Sequence, residues 1–302
     1  MVEVTILGTS SMVPTKDRNV QAFYLEFEGE GMLFDCGEGT QRQMNIAGIS
    51  RGKVRRIFIT HWHGDHVAGI IGLIQTIGNS NYTDTLHIYG PPGTKEHMFH
   101  MMNATIFENK VDIDVHEVHP RFGEEFLVVD SEKYKVTCIP LDHSVPSLGY
   151  AWYEKERTRV DMAACKRLGL TEGPLIGKLS RGQPVTLEGK AIKPEDVTYR
   201  TAGKKIAIFG DTQPVPELIQ LARDADLVIC EATYNSDLED KAAEFKHMTG
   251  AQAAMVAQRA EARKLILTHF SQRYLSVEQT LDEARAVFPN TEAAFDLMKI
   301  TV

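Results

Sequence analysis

Apolar positions along the chain follow two alternating rhythms: short β-branched runs, and stretches that repeat every three to four residues. Residues 2–7, 22–27 and 32–34 read as successive strands, with Glu28-Gly29-Glu30-Gly31 as the turn between the last two. A short helix over 39–47 is stopped by Gly48. A strand over 55–60 leads into an apolar, glycine-containing helix over 67–77. Further on, strands are expected at 135–141, 205–209, 227–230 and 264–268, with a helix over 216–223 that carries Pro216 in its first turn. Thr249 with Gln252 makes a capping box for a helix reaching about Ala262, and Ser276 with Gln279 repeats the signal for a last helix ending before Pro289. Strands alternating with helices indicate an α/β fold, and the early run of three strands indicates a mixed sheet.

The stretch 154–203 breaks this rhythm. It is rich in turns (Gly169, Gly173-Pro174, Gly177, Gly182, Pro184, Gly189), offers only short strand-like pieces, and reads as an insertion projecting from the main body. Charge separates it further. The whole chain of 302 residues carries a net charge of −8, yet residues 155–205 hold 12 Lys and Arg against 6 Asp and Glu. An acidic body therefore carries a basic segment that must be judged on its own.

The N-terminus enters residues 2–7 without a basic or long apolar leader, so no signal peptide is expected. No run approaches the ~18 apolar residues of a membrane span. Cys36, Cys138, Cys165 and Cys230 are far apart and form no CxxC pair. Neither a cysteine zinc site nor a disulfide framework is expected, and a reducing cytoplasm is the natural setting.

The sharpest local feature is His61-Trp62-His63-Gly64-Asp65-His66, directly after the 55–60 strand. Three imidazoles and a carboxylate within six residues are a poor core but a good donor set for a borderline metal such as zinc. His61 and His63, two apart in extended chain, point the same way, while Asp65 and His66 sit where the chain turns into the next helix. His143, Asp211 and His269 each follow an apolar strand, the position where ligands gather in α/β sheets. His87, His97, His100, His116 and His119 have no such placement and read as surface or satisfied core residues, with His116 and His119 in a solvated acidic loop.

Two divalent ions ~3.5–4 Å apart activate water and clamp phosphoryl oxygens. Asp211 suits a bridging role, and Asp65 suits both ligation and acceptance of the water proton. Glu231, after the 227–230 strand, and His247, before the helix capped by Thr249, are candidates for the pair that protonates a leaving oxygen.

His61-x-His63-x-Asp65-His66 with spaced His143, Asp211 and His269 resembles the metallo-β-lactamase superfamily. Within it, the chain is similar to the ribonuclease Z family. Pro14-x-Lys16-x-Arg18-Asn19 fits that family's PxKxRN loop, and Asp35-Cys36-Gly37-Glu38-Gly39-Thr40-Gln41 matches its post-strand loop. Glu231-Ala232-Thr233 matches the end of its HEAT motif, His247-Met248-Thr249 resembles its HST loop, and 267–274 matches the segment around its last ligand. Lys166-x-Leu168-Gly169-Leu170-x-x-Gly173-Pro174 resembles its tRNA-binding arm, or exosite. The likeness runs from Thr5 to Tyr274, with Cys230 and Met248 as departures from HEAT and HST.

The resemblance implies an αββα sandwich spanning 1–302, with 154–203 as an inserted, protruding basic arm. It implies two zinc ions, with His61, His63 and His143 on one, Asp65, His66 and His269 on the other, and Asp211 on both. The implied reaction is endonucleolytic cleavage of a tRNA precursor after the discriminator nucleotide, leaving a 3′-hydroxyl on the tRNA and a 5′-phosphate on the trailer. The implied assembly is a homodimer in which one subunit's arm holds the tRNA cut by the other. Lys166, Arg167, Lys178 and Arg181 are then candidate phosphate contacts alongside Gly173 and Pro174, and Lys16 and Arg18 contact the acceptor end. Two rivals stand beside this reading: a small-substrate hydrolase on the same fold, and a tRNA-binding protein with a structural metal.

Overall fold

The structure, a computed structural model, describes residues 2–80, 82–171 and 173–302. Two seven-stranded mixed sheets form its framework. The first runs Lys299–Thr301, Glu3–Gly8, Ala22–Phe27, Glu30–Phe34, Val54–Phe58, Thr85–Gly90, Asp112–Glu117. The second runs Thr291–Ala293, Leu265–Thr268, Leu227–Glu231, Lys205–Phe209, Ser147–Glu154, Tyr134–Leu141, Phe126–Asp130. In the first sheet the pairing changes from antiparallel to parallel at Glu30–Phe34. The hairpin before that strand turns on Glu28 and Gly29 alone, both with positive φ, the geometry of a two-residue primed turn. Glu30 and Gly31, expected in the turn, already belong to the strand.

Strand alternation sorts the side chains onto two faces. Ile57, Ile59 and Ile88 pack under helices Thr40–Ile46, Ile70–Gly78 and Thr94–Asn103 through Met44, Leu73, Ile74, Ile77 and Met98. Phe34 and Phe58 face the other sheet instead, stacked at 4.9 Å, with Phe58 5.4 Å from Tyr150 of strand Ser147–Glu154. Phe27 meets Trp152 of the same strand edge-on at 5.0 Å. Tyr150 is fully buried, and its hydroxyl donates to Ile59 O at 2.8 Å, which removes the cost of burying it. Helices Pro216–Ala222, Gly250–Arg259 and Glu278–Val287 pack on the second sheet, which completes the expected αββα order.

Thr249 forms the expected capping box with Gln252. The second one is absent: helix Glu278–Val287 has Val277 at its N-cap, and Ser276 only accepts from Glu278 N–H. The expected 67–77 helix is two helices, Gly64–Val67 and Ile70–Gly78, broken at Ala68-Gly69. A Cβ on Gly69 would lie 2.1 Å from Gly37 O, so the chain crosses the post-strand loop where only glycine fits. Strands Thr85–Gly90 and Asp112–Glu117 were not read from the sequence, and they correct the placement of His116, which lies in a strand rather than a loop.

The described chain divides into two compact units, the smaller made of Ser131–Tyr134 and Tyr153–Lys204. More ordered than its turn-rich sequence promised, it pairs Arg157–Val160 with Thr198–Thr201 and Val185–Leu187 with Lys190–Ile192. Helix Met162–Arg167 is capped by the Asp161 carboxylate, and helix Pro174–Ser180 starts on proline. Cys165, Leu170, Leu179, Val185, Ile192 and Val197 give it an apolar core of its own.

Candidate metal centre

Strand Val54–Phe58 delivers the chain to His61 through the buried residues Ile59 and Thr60. His63 is still extended at the N-cap of helix Gly64–Val67, and Asp65 and His66 fall in that helix's first turn. His143 follows strand Tyr134–Leu141, Asp211 follows Lys205–Phe209, and His269 follows Leu265–Thr268. The structure brings all seven side chains together. Donor atoms of His61, His63, His143 and Asp211 lie within 4.8 Å of one another, and so do those of Asp65, His66 and His269. Asp211 Oδ2 stands between the two groups, 3.7 Å from His61 Nε2, 3.5 Å from His66 Nε2 and 3.4 Å from His269 Nε2. Asp65 Oδ2 lies 3.5 Å from both His66 Nε2 and His269 Nε2.

These spacings suit a metal better than a hydrogen-bond network. Ligand atoms ~2.0–2.1 Å from a tetrahedral ion sit roughly 3.3–3.4 Å apart. Among the described residues, His66 Nε2, His269 Nε2 and Asp211 Oδ1 are buried with no hydrogen-bond partner, an expensive state for polar atoms that a cation in their midst relieves. The donor set therefore fits a metal cofactor.

The far side of each ring is fixed by a partner. His66 Nδ1 lies 2.7 Å from Asp35 Oδ2, and the same carboxylate accepts from Thr60 N–H and Thr60 Oγ1, both at 2.8 Å. Having donated to Asp35, Thr60 Oγ1 can accept from His61 Nδ1 at 3.1 Å. His143 Nδ1 donates to Lys246 O at 3.0 Å, and His269 Nδ1 meets Thr233 Oγ1 at 2.9 Å. Each of these contacts aims the opposite nitrogen inward, as ligating histidines require. Burial holds His61, His63 and His143 below the ordinary imidazole range, neutral and with lone pairs free. Burial opposes the charges on Asp65 and Asp211, but the imidazoles around them, His269 and His66 foremost, hold both carboxyls below the usual range.

Glu231 is fully buried beside this cluster. Its Oε1 accepts from Thr212 N–H at 2.8 Å and His247 Nδ1 at 2.9 Å; its Oε2 accepts from Thr233 Oγ1 at 2.6 Å and Met248 N–H at 3.1 Å. Burial alone would lower His247, yet the Glu231 carboxylate raises it to about 9, so it carries a proton at neutral pH. His247, Asp65, His63, His143, Asp211 and His269 line one open cavity of about 930 Å³. At its rim, Met12 N–H donates to Asp65 Oδ2 at 2.7 Å.

The PxKxRN loop lies otherwise than expected. Neither Lys16 nor Arg18 lines the cavity. Lys16 is exposed beside Asp17, whereas Arg18 turns inward, donating to Tyr274 O and packing over the Phe270 ring. Lys166 and Arg167 close one short helix of the smaller unit; Gly173 and Pro174 open the next, which ends at Lys178 and Arg181. Sequence reasoning missed the supporting roles of Asp35, Thr60 and Thr233. Asp35 follows the apolar run 32–34, so the strand-end placement that drew attention to Asp211 applied to it equally.

Comparison with known proteins agrees. The model of the metallo-beta-lactamase superfamily matches residues 15–150, and that of the beta-lactamase superfamily domain matches 183–270. The chain is 49% identical to ribonuclease Z of Methanothermobacter thermautotrophicus, over 100% of this chain and 97% of that one. It is 39% identical to ribonuclease Z of Myxococcus xanthus, over 98% and 96%. The crystal structure of the short form of human tRNase Z superposes with a TM-score of 0.74 at 30% identity, covering 99% of each chain. The chain belongs to the ribonuclease Z family of the metallo-β-lactamase superfamily.

Proposed function

We propose that this chain is a zinc-dependent endoribonuclease that cleaves tRNA precursors after the discriminator nucleotide, removing the 3′ trailer. The observation that carries the reading is one cavity holding an ionised carboxylate, Asp65, and a protonated imidazole, His247, on either side of Asp211. Full-length likeness to ribonuclease Z supplies the substrate class.

In this reading His61, His63 and His143 hold one zinc ion, Asp65, His66 and His269 a second, and Asp211 both. Bound there, the ions supply Lewis acidity that favours ionisation of water at neutral pH and stabilises charge on phosphoryl oxygens. Asp65, anchored by Met12 N–H, accepts the proton of the attacking water. His247, held by Glu231, delivers a proton to the 3′-oxygen that leaves phosphorus. The tRNA then ends in a 3′-hydroxyl and the trailer begins with a 5′-phosphate. Residues 154–203 act as a tRNA-binding arm inserted in a single 1–302 domain, with Lys166, Arg167, Gly173, Pro174, Lys178 and Arg181 on phosphates of the tRNA elbow. Lys16 remains a contact for the acceptor end; Arg18 serves chiefly to brace the 270–274 segment. The working form is a homodimer. Four buried free thiols suit a reducing cytoplasm, and among the described residues no helix is long and apolar enough to cross a membrane.

The test is a 3′-extended tRNA transcript incubated with the protein and zinc, with and without chelator, and the products end-mapped. Cleavage after the discriminator that chelator abolishes supports the reading. Binding of tRNA without any cleavage at saturating zinc rejects it in favour of a tRNA-binding protein with a structural metal.

A further inference from the structure

The first sheet ends in strands Thr85–Gly90 and Asp112–Glu117, neither of which contributes to the cavity of the candidate centre. Their parallel register sets His87 opposite Asp114 and Tyr89 opposite His116, so alternation places all four side chains on one face. There three ligand-type side chains converge. His116 Nε2 lies 3.1 Å from Asp114 Oδ2, His87 Nδ1 lies 3.3 Å from His116 Nε2, and His87 Nδ1 lies 3.7 Å from Asp114 Oδ2.

We propose that His87, Asp114 and His116 form a third metal site, open and exchangeable, for a zinc-class divalent cation. Edges of 3.1, 3.3 and 3.7 Å describe one face of a tetrahedron around an ion, close to the roughly 3.3–3.4 Å that bond lengths of ~2.0–2.1 Å demand. The main centre shows the same spacing, 3.4–3.7 Å, among Asp211, His61, His66 and His269. Without an ion, the single in-plane hydrogen of His116 Nε2 must serve both neighbours; a cation takes one lone pair from each of the three.

The site is also rigid. The Phe58, Tyr89 and His116 rings stack in succession at 5.1 and 4.6 Å, with interplanar angles of 15° and 12°, so a buried aromatic column sets the His116 plane. Yet it remains accessible, since His87 and His116 side chains keep 31% and 36% of their surface and Asp114 keeps 54%. Two imidazoles and one carboxylate select zinc, copper or nickel over magnesium or calcium. Three protein ligands leave a fourth position for water, which marks the site as open rather than closed.

The experiment is zinc titration of the whole protein by equilibrium dialysis with elemental analysis, beside His87→Ala/His116→Ala and Asp114→Asn. None of the three residues belongs to the catalytic machinery, so tRNA cleavage is expected to stay within twofold of wild type. Wild type is expected to take up one more equivalent of zinc than the double variant, with at least a tenfold weaker third equivalent in Asp114→Asn. Cobalt(II) difference spectra of wild type against the double variant should show the additional tetrahedral ion. Equal zinc stoichiometry in wild type and both variants, with cleavage retained, overturns the proposal and leaves the proposed function untouched.

Discussion

Asp35 Oδ2 lies 2.7 Å from His66 Nδ1, and both side chains are completely buried. This contact fixes the direction of His66 Nε2, and through Thr60 the same carboxylate braces His61. Replacing Asp35 by Asn leaves the shape but removes the charge that holds His66. Losses of this kind cost about 10–100-fold in metal affinity. Zinc binding to Asp35→Asn, measured by competition with a chromogenic chelator, should weaken by that amount, and cleavage should recover at high zinc. Wild-type affinity in the variant would refute a supporting role.

His247 carries its proton because Glu231 faces it. Its native pKa of about 9 exceeds the ordinary 6.5, so the pair stabilises the fold fully below about 6.5 and the contribution fades as pH rises through about 9. Cleavage should fall along the same alkaline limb. Glu231→Gln is expected to move that limb toward neutral pH, and His247→Ala to erase it while lowering the rate about 10²–10⁴-fold. A pH–rate profile of the three proteins checks this.

Chelation removes the partner of three orphaned buried atoms. The holo protein should melt above the apo protein, since a ligand present at 100 times its Kd adds about 2.7 kcal/mol per site. Calorimetry with and without chelator measures the difference, and coincident transitions would contradict the metal centre.

A methyl group on Gly69 would meet Gly37 O at 2.1 Å. Gly69→Ala should cost at least about 1–3 kcal/mol, the usual range for overpacking, and should displace the His61–His66 turn. Urea unfolding gives the first number and zinc uptake the second.

The smaller unit has its own core, so the arm is open to a cleaner test than mutation of single residues. Replacing 161–193 by a short linker should abolish precursor cleavage while a small phosphodiester is still hydrolysed. Lys178→Glu with Arg181→Glu should raise KM and flatten the salt dependence by roughly one unit of slope per lost phosphate contact. Equal loss of both activities would argue against an exosite.

What could be read from sequence depended on whether a residue's neighbours in space were also its neighbours in pattern. His143, Asp211 and His269 drew attention because each follows an apolar strand, and the structure brings them to the His61–His66 turn. Thr60 and Thr233 were invisible, because a hydroxyl's role depends on which ring it touches. Asp112–Glu117 does alternate, but its inward positions are Ile113 and Val115 among acidic and histidine residues, and it read as solvated loop. The sandwich itself came from family likeness, since periodicity yields strands and helices but not which sheet each joins. Arg18 was expected to reach outward; a carbonyl at Tyr274 and the Phe270 ring draw it in.

Met12, Asp35, Lys246 and His269 all hold left-handed backbone, with φ of 60°, 58°, 55° and 58°. Each such residue gives up of order 1 kcal/mol or more that glycine would not. Selection for heat resistance alone would thus favour glycine where the carboxylate of Asp35 and the imidazole of His269 now stand. Thermostable variants recovered without an activity screen should concentrate at these positions and be catalytically dead.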